Sequence, residues 1–173
     1  MSHSFRPLFL SALALSAACA GESPTGPAIG PSIVANHSAG ADAARPAGGK
    51  CSTSFTPISF EFPFSTIDIT GECNLKHLGR TTLHAIQIIN VVTGDFTNST
   101  TYTAANGDVL NATIVGTSSP PPDVVFQGTE TYVGGTGRFE GATGSSEFEG
   151  TATVDLITGT GTGEFTSKGT ITY

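Results

Sequence analysis

Ser145 to Leu156 alternates strictly: Phe148, Gly150, Ala152, Val154 and Leu156 share one face, and Glu147, Glu149, Thr151, Thr153 and Asp155 share the other. Thr160 to Tyr173 repeats the pattern, with Phe165, Ile171 and Tyr173 set against Glu164, Thr166, Lys168, Thr170 and Thr172. A strand sends successive side chains to opposite faces, whereas a helix repeats every 3.6 residues. Period-two alternation rich in β-branched residues is therefore a half-buried strand.

The same reading from Cys51 onward finds strands and no convincing amphipathic helix. Eight are expected, over 52–61, 66–77, 80–93, 95–104, 107–117, 123–133, 144–156 and 160–172. Asn106-Gly107 and Thr93-Gly94-Asp95 are hairpin turn sequences, and Pro120 to Pro122 excludes regular pairing and marks a longer connection. Eight strands on short turns suit an up-and-down barrel or a sandwich, and closure removes the edges that invite aggregation. The expected fold is all-β, an eight-stranded antiparallel barrel with room for a packed core or one small ligand. Ile86 to Val92 and Val124-Val125 read as apolar on both faces, so part of the outer wall is expected to be covered, by a second copy or by termini and loops.

The remaining residues read as export and tethering segments. Arg6 followed by the apolar stretch Leu8 to Ala18 and small residues is a signal-peptide pattern, and the stretch falls short of the roughly 20 residues of a membrane-spanning helix. LSAAC (Leu15 to Cys19) resembles a lipoprotein cleavage box, which would leave Cys19 lipidated. Ala18-Cys19-Ala20 also fits plain cleavage to a soluble product. Residues 20–49 are Ala, Gly, Pro and Ser with few large apolar groups, and such a composition reads as a flexible linker. The barrel domain is expected over 50–173. The net charge is −7 and Lys and Arg do not cluster, which argues against nucleic acid as a partner. Any membrane association is expected through the lipid anchor alone.

Cys51 and Cys73 are equidistant from Phe62. A hairpin reversing there makes them cross-strand neighbours with Cβ atoms about 4.5–5.5 Å apart, within reach of a disulfide. No His, Cys and carboxylate cluster forms a metal set: His77 and His84 have no third ligand, so a hydrogen-bonding role fits them better. Asn98-Ser99-Thr100 and Asn111-Ala112-Thr113 match the glycosylation sequon.

The segment GGTGRFEGATG, Gly134 to Gly144, is rich in glycine without being a phosphate loop. A Walker sequence ends in Lys and Ser or Thr at the start of a helix, but Arg138 follows Gly137, and the dinucleotide fingerprint fails because position 140 is Glu140. The alternative is a sharp turn in which Gly134, Gly135, Gly137 and Gly141 supply reversals and Phe139, between charged Arg138 and Glu140, is driven into the core. With its flanks, Thr131-Tyr132-Val133-Gly134-Gly135-Thr136-Gly137-Arg138-Phe139-Glu140-Gly141-Ala142-Thr143-Gly144 and the two strands after it resemble the allene oxide cyclase-like barrel superfamily, which includes allene oxide cyclases and dirigent proteins. The resemblance implies an eight-stranded barrel with an apolar lumen, no cofactor, and frequent oligomers. Where its members are enzymes, they steer a reactive substrate by shape. The polar groups of the cyclases lie in the first strands, and Ser52 to Phe64 does not reproduce them.

One polar position stands out on the residues themselves. In strand 123–133, Val124, Phe126, Gly128, Glu130 and Tyr132 share a face. If that face is the lumen, Phe126, Glu130 and Tyr132 are candidate ligand-binding residues, and Glu130 is a carboxylate in apolar surroundings, able to act as a general acid or an anchor. If Val125 and Val133 point inward instead, Glu130 is simply solvated. Three readings follow: a barrel holding a small hydrophobic ligand, a cofactor-free cyclase or isomerase working in the lumen, or a solid barrel that serves as an oligomerising module.

Overall fold

Alternating Thr, Ser and Gly with Phe, Ile and Val dictates strands with a wet face and a dry one, and the chain satisfies this by closing a sheet on itself. The computed structural model describes residues 43–173. Nine strands run in chain order: β1 (Arg45–Ala47), β2 (Gly49–Glu61), β3 (Phe64–Leu75), β4 (Gly79–Asn90), β5 (Asp95–Ala104), β6 (Val109–Ser118), β7 (Asp123–Gly135), β8 (Thr143–Val154) and β9 (Gly161–Thr172). Each of β2 to β9 pairs antiparallel with its neighbour in sequence, and β9 returns to β2, with Cys51 opposite Phe165. Eight antiparallel strands therefore form a closed barrel.

The eight expected strands are all present, each with ends within two or three residues of the expected ones. The difference lies upstream. Arg45 to Ala47 pairs with Ile171 to Gly169, and β2 continues along β9 in the same register, with Lys50 opposite Thr166. β1 and β2 are thus one strand broken at Gly48, whose φ is +94°; a Cβ there would run into the Ser167 backbone. Residues 45–49, expected to be linker, belong to the sheet, while residues 1–42, including Cys19, lie outside the described residues.

Antiparallel pairing sorts the turns by end. The β2–β3, β4–β5, β6–β7 and β8–β9 turns gather at one end, and the β3–β4, β5–β6 and β7–β8 turns at the other. The second end is stoppered. Phe139, in a 3₁₀ turn at Gly137–Phe139 between β7 and β8, is wholly buried and meets the Tyr173 ring edge-on at 4.9 Å. Gly134, Gly137 and Gly141 in this loop all have positive φ. The turn drives Phe139 inward while Glu140 stays exposed, as the residue types require. Leu75, Leu78, Leu110, Ala142 and Ile171 complete this core, and the disulfide between Cys51 and Cys73, Cα atoms 4.1 Å apart, braces it from β2 to β3. The expected cross-strand pairing holds at Cys51 opposite Cys73, and a bulge between Pro57 and Ser59 shifts the register only nearer the hairpin tip.

Candidate functional site

The other half of the barrel is hollow. A cavity of about 430 Å³ runs down from the end opposite the Phe139 stopper, within the range of small-molecule pockets. Its wall is apolar, with Phe55, Ile67, Ile89, Val124, Phe126 and Phe165 among its lining residues. Four phenylalanines cluster on the inner wall formed by β5, β7, β8 and β9. Phe148 lies 6.4 Å from Phe96, 6.2 Å from Phe126 and 6.0 Å from Phe165 between ring centroids, all in tilted or edge-on contacts.

The rings of Phe96, Phe126 and Phe148 each lie over a glycine. Phe96 pairs with Gly116 across β5 and β6, and Phe126 with Gly150 across β7 and β8. A Cβ on Gly116 would sit 2.5 Å from the Phe96 ring, and one on Gly150 would sit 2.6 Å from the Phe126 ring. Gly161 stands under Phe55 in the same way. The glycines let the rings lie flat along the wall instead of filling the centre. The aromatic side chains thereby define the lumen without closing it.

The largest polar groups on this wall gather on β4 and β5, while Thr53, Ser65, Thr93, Ser118 and Ser119 add hydroxyls elsewhere along the lining. Gln87 on β4 and Asn98 on β5 are direct cross-strand partners that both line the cavity, with Thr100 below them. The Thr100 hydroxyl donates to Asn98 Oδ1 at 2.8 Å, which commits the carbonyl side of the amide and leaves its N–H groups for the lumen. Asn98 therefore points into the barrel, where it is no acceptor for a glycan on the outer surface.

The three residues singled out on β7 do not share one environment. Phe126 lines the cavity, whereas Glu130 and Tyr132 face inward two and three positions further down the same face, below its floor. Glu130 is 2 % exposed, opposite Ile114 on one side and Ser146 on the other. Burial pushes its carboxyl above the ordinary carboxylate range, and the Tyr102 and Tyr132 phenols partly offset this by hydrogen bonding to the charged form. Its Oε1 has no hydrogen-bond partner among the described residues. Both phenols are in turn held protonated, first by burial and then by the carboxyl beside them. Tyr132 Oη is 2.6 Å from Ser146 Oγ. Glu130 belongs to a buried polar layer between the cavity and the stopper.

The histidines stand apart. His84 is on the outer wall with Nε2 2.9 Å from Asp68 Oδ1, and His77 turns the β3–β4 corner with φ +66° beside Tyr173. Among the described residues no three His, Cys, Asp or Glu side chains gather as metal ligands.

Sequence reasoning missed Gln87, Asn98 and Thr100, although a signal for two of them was present. Alternation over 95–104 sets Asn98 and Thr100 on the face of Phe96 and Tyr102, a polar pair bracketed by aromatics. Gln87 was hidden because Ile86 and Ile88, the conspicuous apolar residues, turn out to be the outward ones, 38 % and 49 % exposed. No family model, no curated protein and no solved structure matches this chain.

Proposed function

We propose that this chain is an exported, lipid-anchored barrel that holds a small apolar molecule in its lumen. The observation that carries the reading is the cavity: about 430 Å³, open at one end, walled mainly by phenylalanine and aliphatic side chains, with an amide and hydroxyl patch on β4 and β5. A fixed polar group in an apolar pocket orients a ligand, while burial of the apolar remainder supplies affinity. Export draws support from the Cys51–Cys73 disulfide, which belongs to oxidising compartments, and from the signal-like residues 1–20 with Cys19 as the lipid site. The Thr131–Gly144 segment and the closed barrel are in keeping with an allene oxide cyclase-like relationship. Exposed Ile86 and Ile88 on the outer wall offer a face for self-association.

Lumen catalysis has less support. Glu130, the candidate acid, lies beneath the floor, where a molecule in the cavity does not touch it. Hollowness, in turn, favours ligand holding over a solid structural module. Native mass spectrometry of protein purified from its own source reads all parts together. The reading expects a diacyl-glycerol mass on Cys19 and a retained small molecule released on unfolding. Unmodified protein with an empty lumen that takes up no apolar probe would overturn it.

A further inference from the structure

The arrangement of charge along the barrel axis narrows the ligand. The six described cations, Arg45, Lys50, Lys76, Arg80, Arg138 and Lys168, all belong to the stoppered half, on strand ends or turns away from the mouth. Among the described residues the charged side chains at the mouth end are all acids. Glu61 sits at the β2–β3 hairpin tip, and Asp95, Asp123 and Asp155 stand beside the β4–β5, β6–β7 and β8–β9 turns, all exposed. Asp155 is kept ionised by the backbone N–H groups of Ile157 and Thr158, 2.8 and 3.1 Å from Oδ1. Between these acids project bare apolar tips, Phe62 at 75 % and Ile157 at 96 % exposed. Among the described residues no Lys or Arg lines the cavity.

From this we infer that the lumen takes an uncharged amphiphile, a hydrocarbon body with one neutral hydrogen-bonding group, and rejects the carboxylate of the same body. The inference rests on the lumen-binding reading above. A neutral hydroxyl or amide exchanges water for the Gln87 and Asn98 amides and the Thr100 hydroxyl at little net cost. A carboxylate can also accept from those amides, but neutral donors do not replace the hydration of a full charge, and no guanidinium or ammonium is at hand to pair it. The acidic mouth lowers the local concentration of anions and adds to the same preference.

The experiment titrates wild-type protein by calorimetry at neutral pH with three ligands of one chain length: 1-decanol, decanamide and decanoate. The expected result is saturable binding of the alcohol and the amide, with decanoate weaker by about tenfold or more. A Gln87→Lys variant, which brings a cation to the patch, is expected to reverse the order. Decanoate binding as tightly as the neutral pair to the wild-type protein would overturn the inference while leaving lumen binding intact. Failure of all three to bind would overturn both. The wild-type comparison decides the matter even if Gln87→Lys does not fold.

Discussion

Glu130→Gln isolates the buried carboxyl in the sharpest way, because glutamine keeps the shape and removes only ionisation. Glu130 is 2 % exposed and burial raises its folded pKa above the unfolded value near 4.5. Below that value both folded and unfolded chains hold the proton, and the carboxyl adds no pH dependence. Above it the unfolded chain ionises while the folded one does not, so stability falls as pH rises until the folded group also releases its proton. Inside that window the wild-type protein loses about 1.4 kcal/mol per pH unit on this account alone. For a domain of this size that corresponds to roughly 4–7 °C in Tm per pH unit. Glu130→Gln lacks the slope, so the two proteins unfold together at low pH, and the variant becomes progressively more stable from about pH 5 upward. Thermal melts followed by circular dichroism across pH, reported as variant minus wild type, make the comparison. A flat difference would show that Glu130 ionises alike in both states and would refute the burial argument. Lumen binding of a neutral ligand is expected to be unchanged in the same variant, because Glu130 lies below the cavity.

Three further substitutions probe the frame. Cys51→Ser with Cys73→Ser opens a loop of 22 residues and is expected to cost about 3 kcal/mol in denaturant titration, the fold surviving at low temperature. Phe139→Ala removes a wholly buried ring at the stopper and is expected to cost about 3–5 kcal/mol, with Phe139→Leu recovering much of it. Gly150→Ala places a methyl 2.6 Å from the Phe126 ring and is expected to destabilise by about 1–3 kcal/mol; an unchanged Tm would remove the packing role assigned to that glycine.

Much of the barrel was legible because its information is local. Alternation at Phe148 to Val154 and turn residues at Asn106-Gly107 specify strands and reversals within a few residues. Reflection about Phe62 placed Cys51 opposite Cys73, since the register of a hairpin follows from its turn. Arg45 to Ala47 was not legible: its composition is that of a linker, and its partner Ile171 lies at the far end of the chain. The site was legible by face but not by depth. Alternation puts Phe126, Glu130 and Tyr132 on one side of β7, yet only the stagger of eight strands decides that Phe126 meets the cavity and Glu130 the layer beneath it. The placing of Phe96 over Gly116 and Phe126 over Gly150 is likewise invisible until the register is known, and it is what keeps the lumen open.

The central claim is an open, apolar lumen, and its most direct measurement is the titration of a neutral apolar fluorophore, N-phenyl-1-naphthylamine, into wild-type protein and Ala152→Phe. Ala152 lines the cavity, so the larger side chain of a phenylalanine there takes up part of the open space. The account predicts saturable one-to-one binding by the wild-type protein and its loss in Ala152→Phe at a comparable Tm. Absence of saturable binding to the wild-type barrel, or equal affinity in a folded Ala152→Phe, would contradict it.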